Sequence, residues 1–565
     1  MKDKKDEFFF QIIKIVGLKN LLFSESQITP FSTGVRVGSG KAEAVILPEN
    51  LLQLWNILEI LVKFKKIIII QAANTGLTGG STPDGDKYDR DVVIVNTLKI
   101  KKLFLLKNAS QVLALPGSTL YDLEAKLENY NREPHSVIGS SCIGASIIGG
   151  ICNGSGGNLL QRGPAYTELS LFAQVDNQGI LRLINHLNID LGNSPLEILK
   201  NLDNFESKRF NIFDNEKIAS DNEYKMRIRD VDSKTPARFN ADKRRLYEAS
   251  GCSGKLCVFA VRLDTFPKSK ETKIVFLATN EPKNFTNIKN HILLRFNKLP
   301  DICEYMHKTF FDGADKYGKD TFLVVKYFGP KFMPILFKFK QKMEIILSNF
   351  KFINKNIMER ILQKTAEAVP DHLPKIVRDF RKKYEHFLIL SVSDECIKEL
   401  NDYFTSGEFR DMNLEFHQFD EKEGKDLLLH RFVAGAAPKR NKILNPFNSG
   451  EILPFDVALP RNCKNWYDIL PEKIYSQMSE IFLMGHFMCM VFHWDFIVKK
   501  GVDVNKLKKE IIEIFNEHNI KYPAEHNYGH YYKADKNLLS HYVNLDPTNT
   551  FNPGIGQTSK NLNYK

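Results

Sequence analysis

Long uninterrupted apolar runs are missing from this chain. The nearest approach, IFLMGHFMCMVFHWDFIV (481–498), contains His486, His493 and Asp495. Each is costly in lipid, so the stretch reads as buried core rather than as a membrane span. The opening MKDKKDEFFFQIIKIVGL has an apolar run broken by Gln11 and Lys14, with no small-residue cleavage site, which argues against a secretory signal peptide. Cysteine is sparse. The eight, at 142, 152, 252, 257, 303, 396, 463 and 489, are scattered with no C-x-x-C pair. That excludes a zinc ribbon or a disulfide framework and fits a reducing compartment. Acidic residues number 67 against 79 basic ones, a formal net charge of +12. The favoured partner is therefore anionic: nucleic acid, an acidic membrane surface or an anionic substrate. Internal repeats and low-complexity tracts are also lacking.

What is present is enough chain for two or three domains with a large core, 565 residues of which 43% are hydrophobic. Its most distinctive stretch is REPHSVIGSSCIGASIIGGICNGSGGNLLQRGPAY (132–166), with eight glycines. Glycine lets backbone approach a ligand closely, and successive N–H groups in such turns form anion-binding nests. The apolar pairs Val137-Ile138 and Ile147-Ile148 mark the stretch as buried. A buried, uncharged, glycine-rich loop suits a large flat cofactor with a phosphate tail; the alternative is a tightly turning core segment with no ligand. The common nucleotide fingerprints fail here. Leu159 stands where a dinucleotide motif beginning at Gly154 needs glycine or alanine, and Gly150 replaces the P-loop lysine.

Along the chain, residues 7–23 and 51–64 read as helices. Ile67-Ile68-Ile69-Ile70 reads as a buried strand running into a second glycine-rich loop, QAANTGLTGGSTPDG (71–85). Strands at 91–96 and 112–115 and a helix at 121–128 follow. The alternation of strands and helices to about residue 264 indicates an α+β domain. Composition shifts after Phe266-Pro267. Residues 331–383 hold thirteen Lys or Arg against five Asp or Glu, interleaved with Phe332, Met333, Ile335, Leu336, Phe337, Phe339, Ile345, Ile346, Phe350 and Phe352. Three readings stay open: a basic amphipathic membrane-surface helix, a solvated helix with inert charges and its apolar face in the core, and a nucleic-acid-binding segment without a recognised module.

Candidate chemistry lies in the last third. Glu525-His526 with His530 looks like half a zinc site, but Asn527 stands where H-E-x-x-H needs glutamate. His486 and His493 are seven apart, too far along one helix for one metal and on opposite faces of one straight strand. They converge only if the chain turns between them. Taken alone, each histidine is more often a satisfied core or surface residue than a ligand. Arg431, Lys439 and Arg440 could clamp a carboxylate, or be ordinary surface charge.

Taken together, QAANTGLTGGSTPDG, REPHSVIGSSCIGASIIGGICNGSGG, RGPAYTE, SGCSGKL, GHFMCMVFH, YPAEH and DPTNTFNPGIG closely resemble the bacterial quinone-linked D-lactate dehydrogenase family, in the family's order and from about residue 30 to the end. The resemblance implies a flavoprotein of vanillyl-alcohol-oxidase type: a two-subdomain FAD-binding domain (1–264, with 515–565 returning to it), an α+β cap (265–306 and 385–514) and a helical basic membrane-associating segment (307–384). It implies noncovalent FAD held by Ala72, Ala73, Asn74, Thr75, Gly76, Gly80, Ser81, Gly139, Ser146, Gly156 and Val258. Wider relatives that oxidise 2-hydroxy acids imply His526 as base and His486, His493 and Glu525 as ligands of a divalent metal. This sequence has FMCMVF where those relatives place Gly-Asp-Gly-Asn. Arg431, with Arg440 behind it, is the expected carboxylate clamp. The implied partners are D-lactate, ubiquinone or menaquinone, and an anionic membrane surface at the cytoplasmic face of the bacterial inner membrane, with no nucleic acid. The rival expectation is a soluble FAD-dependent dehydrogenase of another D-2-hydroxy acid with a different acceptor.

Overall fold

The computed structural model describes residues 2–136, 144–213, 216–329, 332–333, 336, 343, 357–446 and 450–565. The first sheet contains β1 (Leu21–Leu22), β2 (Ala44–Ile46), β3 (Ile67–Gln71) and β4 (Val92–Asn96), in the order β1-β2-β4-β3 with the last three parallel. The isoleucine run forms β3 because a parallel strand covered on both faces needs apolar side chains in both directions. Helix Leu51–Lys63 covers this sheet with Leu51, Leu54, Leu58 and Leu61, and Asn50 caps it by accepting from the Gln53 amide. The free edge of β3 is taken by the C-terminal tail. Ile68 N donates to Thr550 O at 3.0 Å, and Asn552 N donates to Ile68 O at 2.9 Å. The expected helix over 7–23 is shorter and earlier. It spans Lys2–Val16 and stops at Gly17, whose φ of 72° leaves the helical region, and Leu21–Leu22 pairs in the sheet.

The second sheet is antiparallel: β5 (Leu103–Leu106), β6 (Gln111–Ala114), β7 (Ser170–Val175), β8 (Leu181–Asn185) and β9 (Cys257–Asp264), in the order β5-β6-β9-β7-β8. The central glycine-rich stretch leaves this sheet and contributes the short helix Ile147–Cys152, buried against Val258 and Val261 of β9.

The third sheet has seven antiparallel strands: β10 (Thr272–Thr279), β11 (Ile302–His307), β12 (His386–Ser393), β13 (Leu414–Asp420), β14 (Ile452–Ala458), β15 (Met478–His486) and β16 (Val491–Val498). Their order is β13-β10-β12-β11-β15-β16-β14. Period-two alternation splits its side chains between two cores. Val275 and Leu277 face helices Pro282–Arg295 and Glu395–Thr405, whereas Ile274, Phe276 and Ala278 face helices Lys308–Tyr317 and Glu421–Val433. The apolar stretch 481–498 forms the β15–β16 hairpin, flanked in this sheet by β11 and β14.

Much of the basic segment lies outside the described residues, including Ile335, Phe337, Phe339, Ile345, Ile346, Phe350 and Phe352. Helices Lys319–Phe328, Ile357–Glu367 and Lys375–Lys383 flank it. At its C-terminal end the charges are matched: Arg378 by Asp315 and Asp371, Arg381 by Asp312, and Lys383 by Glu415. At its N-terminal end apolar side chains stand in solvent, Tyr327 at 70% and Phe328 at 67% exposure, with Phe332 stacked on Phe328.

Candidate active site

A cavity of about 570 Å³ runs between the first two sheets and the third. It has two chemically different ends. The first is made of neutral turns. Loop 72–81 leaves the C-terminal end of β3. Asn74 takes φ of 52° and its side chain is fixed by Thr33 O and Ser81 Oγ, both at 2.9 Å. The amides of Asn74, Thr75 and Gly76 donate to no protein acceptor among the described residues, and a Cβ on Gly76 would meet nothing within 4 Å. Successive amides without a protein acceptor are what an anion-binding turn requires. Ala72, Ala73, Gly80, Ser81, Ser146, Gly156 and Val258 line the same cavity. Ser146 caps helix Ile147–Cys152 through the Gly149 amide. A Cβ on Gly156 would lie 2.0 Å from Glu525 Oε2, so glycine there makes room for that carboxylate. Gly139 lies outside the described residues.

The second end is charged, and strand register builds it. The β15–β16 hairpin turns through Phe487–Cys489 and Met490, the latter at φ 56°. Met484 then pairs with His493 and His486 with Val491, so both histidines sit on one face. Register with the neighbouring strands sets Glu304 opposite His486 and Asp456 opposite His493. His486 Nδ1 is 2.7 Å from Glu304 Oε1, and His486 Nε2 is 3.0 Å from Glu525 Oε1. His493 Nε2 lies 3.4 Å from the same Glu525 oxygen and its Nδ1 lies 3.5 Å from Asp456 Oδ1. Asp456 Oδ2 accepts the amides of Glu525 and His526, both at 2.8 Å, and lies 3.4 Å from His526 Nδ1. Arg238 closes the cluster from behind, donating to Glu525 Oε2 and Gly157 O at 2.7 Å each.

The charges follow from this arrangement. Burial disfavours a charge on His486, but Glu304 and Glu525 outweigh it and raise its pKa to about 9. Burial also opposes ionisation of Glu525; His486 and Arg238 overcome it and hold the carboxyl well below the usual range. His526 goes the other way. Burial lowers its pKa more than Asp456 raises it, which leaves a neutral imidazole. A neutral imidazole keeps one ring nitrogen with a free lone pair, which can accept a proton. Two sets of donors converge within 4.8 Å, His486 with His493 and Glu525, and Asp456 with His493 and His526. Two imidazole nitrogens and a carboxylate oxygen make a donor set suited to a divalent metal.

Arg431 reaches the cavity from helix Glu421–Val433 and pairs with Glu304 at 2.8 Å. Arg440 does not reach it. Its guanidinium is bound by Asp320, Glu359 and Tyr317 O on the far side of the helical layer, so it is a structural ion pair and not a second clamp. Lys439 is exposed, and His530 lies 2.9 Å from Thr82 O, tying tail to loop. Glu304, Asp456, Arg238 and Arg36 were not singled out by the sequence. No motif marks them; only strand register and chain return bring them here.

Comparison with known proteins places this geometry. The family model "D-lactate dehydrogenase, membrane binding" matches residues 274–564. The quinone-dependent D-lactate dehydrogenase of Escherichia coli (strain K12) is 48% identical, covering 99% of this chain and 98% of its own length. The enzyme of that name from Corynebacterium glutamicum is 39% identical over 98% of this chain and 96% of its own. In structure, p-cresol methylhydroxylase aligns with a TM-score of 0.59 at 11% identity, over 99% of this chain and 98% of that one. The expected α+β fold of vanillyl-alcohol-oxidase type is therefore borne out. With this architecture and near-full-length identity, the chain belongs to the quinone-dependent D-lactate dehydrogenase family.

Proposed function

We propose that this chain oxidises D-lactate to pyruvate with noncovalently bound FAD and passes the electrons to a membrane quinone, ubiquinone or menaquinone. The observation that carries the reading is the His526–Asp456 pair, an imidazole 3.4 Å from a buried carboxylate at the charged end of a cavity whose other end is lined by neutral, glycine-rich turns. The neutral turns 72–81 and 146–156 suit the diphosphate of FAD, and Val258 suits its apolar ring system. FAD held by these turns would supply the hydride acceptor for substrate C2. His526 Nε2 takes the C2 hydroxyl proton, and Asp456 stabilises the imidazolium that results. Arg431 holds the substrate carboxylate with the edge not used by Glu304. The buried Arg238 keeps Glu525 ionised and in place.

His486, His493 and Glu525 would hold a divalent metal, which would supply Lewis acidity near the hydroxyl. Metal analysis of the purified protein before and after chelation tests that part separately.

We assign 1–264 and 515–565 to FAD binding, 265–306 and 385–514 to the cap, and 307–384 to membrane association. No helix among the described residues is long and apolar enough to cross a membrane. The exposed Tyr327, Phe328 and Phe332 support peripheral attachment beside the basic segment, at the cytoplasmic face of the inner membrane, where quinone is available. The deciding experiment is anaerobic: D-lactate bleaches the flavin absorbance of the purified protein and L-lactate does not. A colourless preparation, or equal bleaching by both enantiomers, removes the proposal.

A further inference from the structure

Arg36 belongs to the cofactor half of the molecule, not to the cap. It lies in the turn Gly34–Gly38, closed by Gly34 N donating to Gly38 O at 2.8 Å. A Cβ on Gly38 would lie 2.3 Å from Thr82 Oγ1, so this turn is seated directly on loop 72–85. From there Arg36 crosses the cavity to the cap. Its Nη2 donates to Gly435 O at 3.4 Å and its Nη1 lies 3.9 Å from Asp495 Oδ1. Asp495 is 6% exposed and sits on β16 two residues beyond His493, on the same strand face. The Arg36 charge also reaches His526 and Tyr531, which places it at the end of the cavity that holds the base.

The three guanidinium groups around this end differ in how they are bound. Arg238 is buried against Glu525, and Arg431 against Glu304. Each is matched by a buried carboxylate at hydrogen-bond distance. Among the described residues Arg36 makes one hydrogen bond, to a carbonyl, and its side chain is 37% exposed. A guanidinium carries five N–H donors, so most of its capacity to bind an anion is unused. Glycine at both ends lets the turn close tightly: Gly38 has φ of 91°, and a Cβ on Gly34 would lie 2.1 Å from Val37 O.

We propose that Arg36 is a second arm for the substrate carboxylate, opposite Arg431, and that it links carboxylate binding to the seating of the cap on the cofactor half. This rests on the reading of the cavity as a 2-hydroxy-acid site. A carboxylate offers two oxygens in a plane, which a guanidinium meets bidentately. An anion arriving between Arg36 and Arg431 draws together a residue of each half, so the acid group of the substrate itself favours closure.

The test uses the holoenzyme with Arg36→Ala, Arg36→Gln and Arg36→Lys, and three readouts. These are steady-state oxidation of D-lactate and of its neutral methyl ester with a soluble dye acceptor, oxalate binding followed by the flavin spectrum, and flavin content. Arg36→Ala and Arg36→Gln should raise the D-lactate KM and the oxalate Kd roughly 10- to 100-fold. They should leave kcat, flavin content and ester oxidation near wild type, and Arg36→Lys should recover part of the loss. Equal losses for acid and ester would overturn the proposal, because a mere latch would act on both. Loss of flavin would overturn it in favour of a cofactor-phosphate contact, and so would unchanged oxalate affinity. If the wild-type flavoprotein neither bleaches with D-lactate nor binds oxalate, the underlying reading of the site fails instead.

Discussion

Asp456 holds the amides of Glu525 and His526 with one oxygen and faces His493 with the other. It thereby fixes the backbone of the proposed base and places a carboxylate 3.4 Å from its ring. Substituting His526→Gln should leave the flavin bound and slow anaerobic bleaching by D-lactate about 10²- to 10⁴-fold, the usual size of a general-base contribution. Stopped-flow absorbance measures it, and normal bleaching would end the assignment. Arg440 makes the opposite prediction. Its guanidinium satisfies Asp320 and Glu359 in a mostly buried site. Arg440→Met should lower stability by about 3 kcal/mol, since it strands two partly buried carboxylates. Activity per folded molecule should be unchanged, as chemical denaturation and turnover on one preparation will show. The sequence could not separate Arg431 from Arg440, because both are basic residues on neighbouring helical turns. Only the positions of Glu304 and Asp320 distinguish them.

At the scale of elements, the glycine-rich loops were legible because the anion-binding role proposed for them constrains composition. A turn that presents amides to an anion needs small, uncharged residues, and that requirement shows in the chain directly. The charged end was only half legible. His486, His493 and Glu525-His526 stood out, but Asp456 and Glu304 are ordinary strand residues until sheet register sets them opposite the histidines. The helix expected over 7–23 ends early because Gly17, at φ 72°, stops it. The buried histidines of the third sheet and its helices give a pH prediction. Burial, with Lys308 adding to it, holds His386 at about 4, and burial, with His372 adding to it, holds His430 at about 3, against an ordinary 6.5. Between pH 6.5 and 4 the unfolded chain takes up protons that the folded chain refuses, so stability falls on acidification. His386 alone accounts for roughly 3 kcal/mol by pH 4. Thermal unfolding should therefore shift down between pH 7 and 5, and less so in His386→Gln. The tail strand gives another test. Phe551 is fully buried in the first core. Phe551→Ala should cost about 3–5 kcal/mol and reduce flavin retention, measured by denaturation and by flavin released per chain.

For the whole molecule, charge and apolar exposure are unevenly distributed. The formal charge of +12 is concentrated toward residues 331–383, and the exposed aromatic residues Tyr327 and Phe328 stand at the start of that segment. Replacing the lysines at 338, 340, 342 and 351 by glutamine should weaken binding to anionic vesicles, at roughly 1 kcal/mol per charge near the surface. Flavin reduction by D-lactate in solution should be unaffected. Co-sedimentation at two salt concentrations checks this, and salt-independent binding of the variant would remove the electrostatic role. The composition announced this tendency, whereas the pairing of Arg378, Arg381 and Lys383 with acidic neighbours could be read only from the fold.

The pairing of Phe551 beside Ile68 has a consequence during synthesis. A ribosome finishes the isoleucine strand long before it makes the residues that cover its edge. Through most of translation the nascent chain carries an open, sticky ribbon next to an unfinished nucleotide cradle. A chain that stops before Phe551 leaves that edge open, and such products are left as substrates for chaperones and proteases.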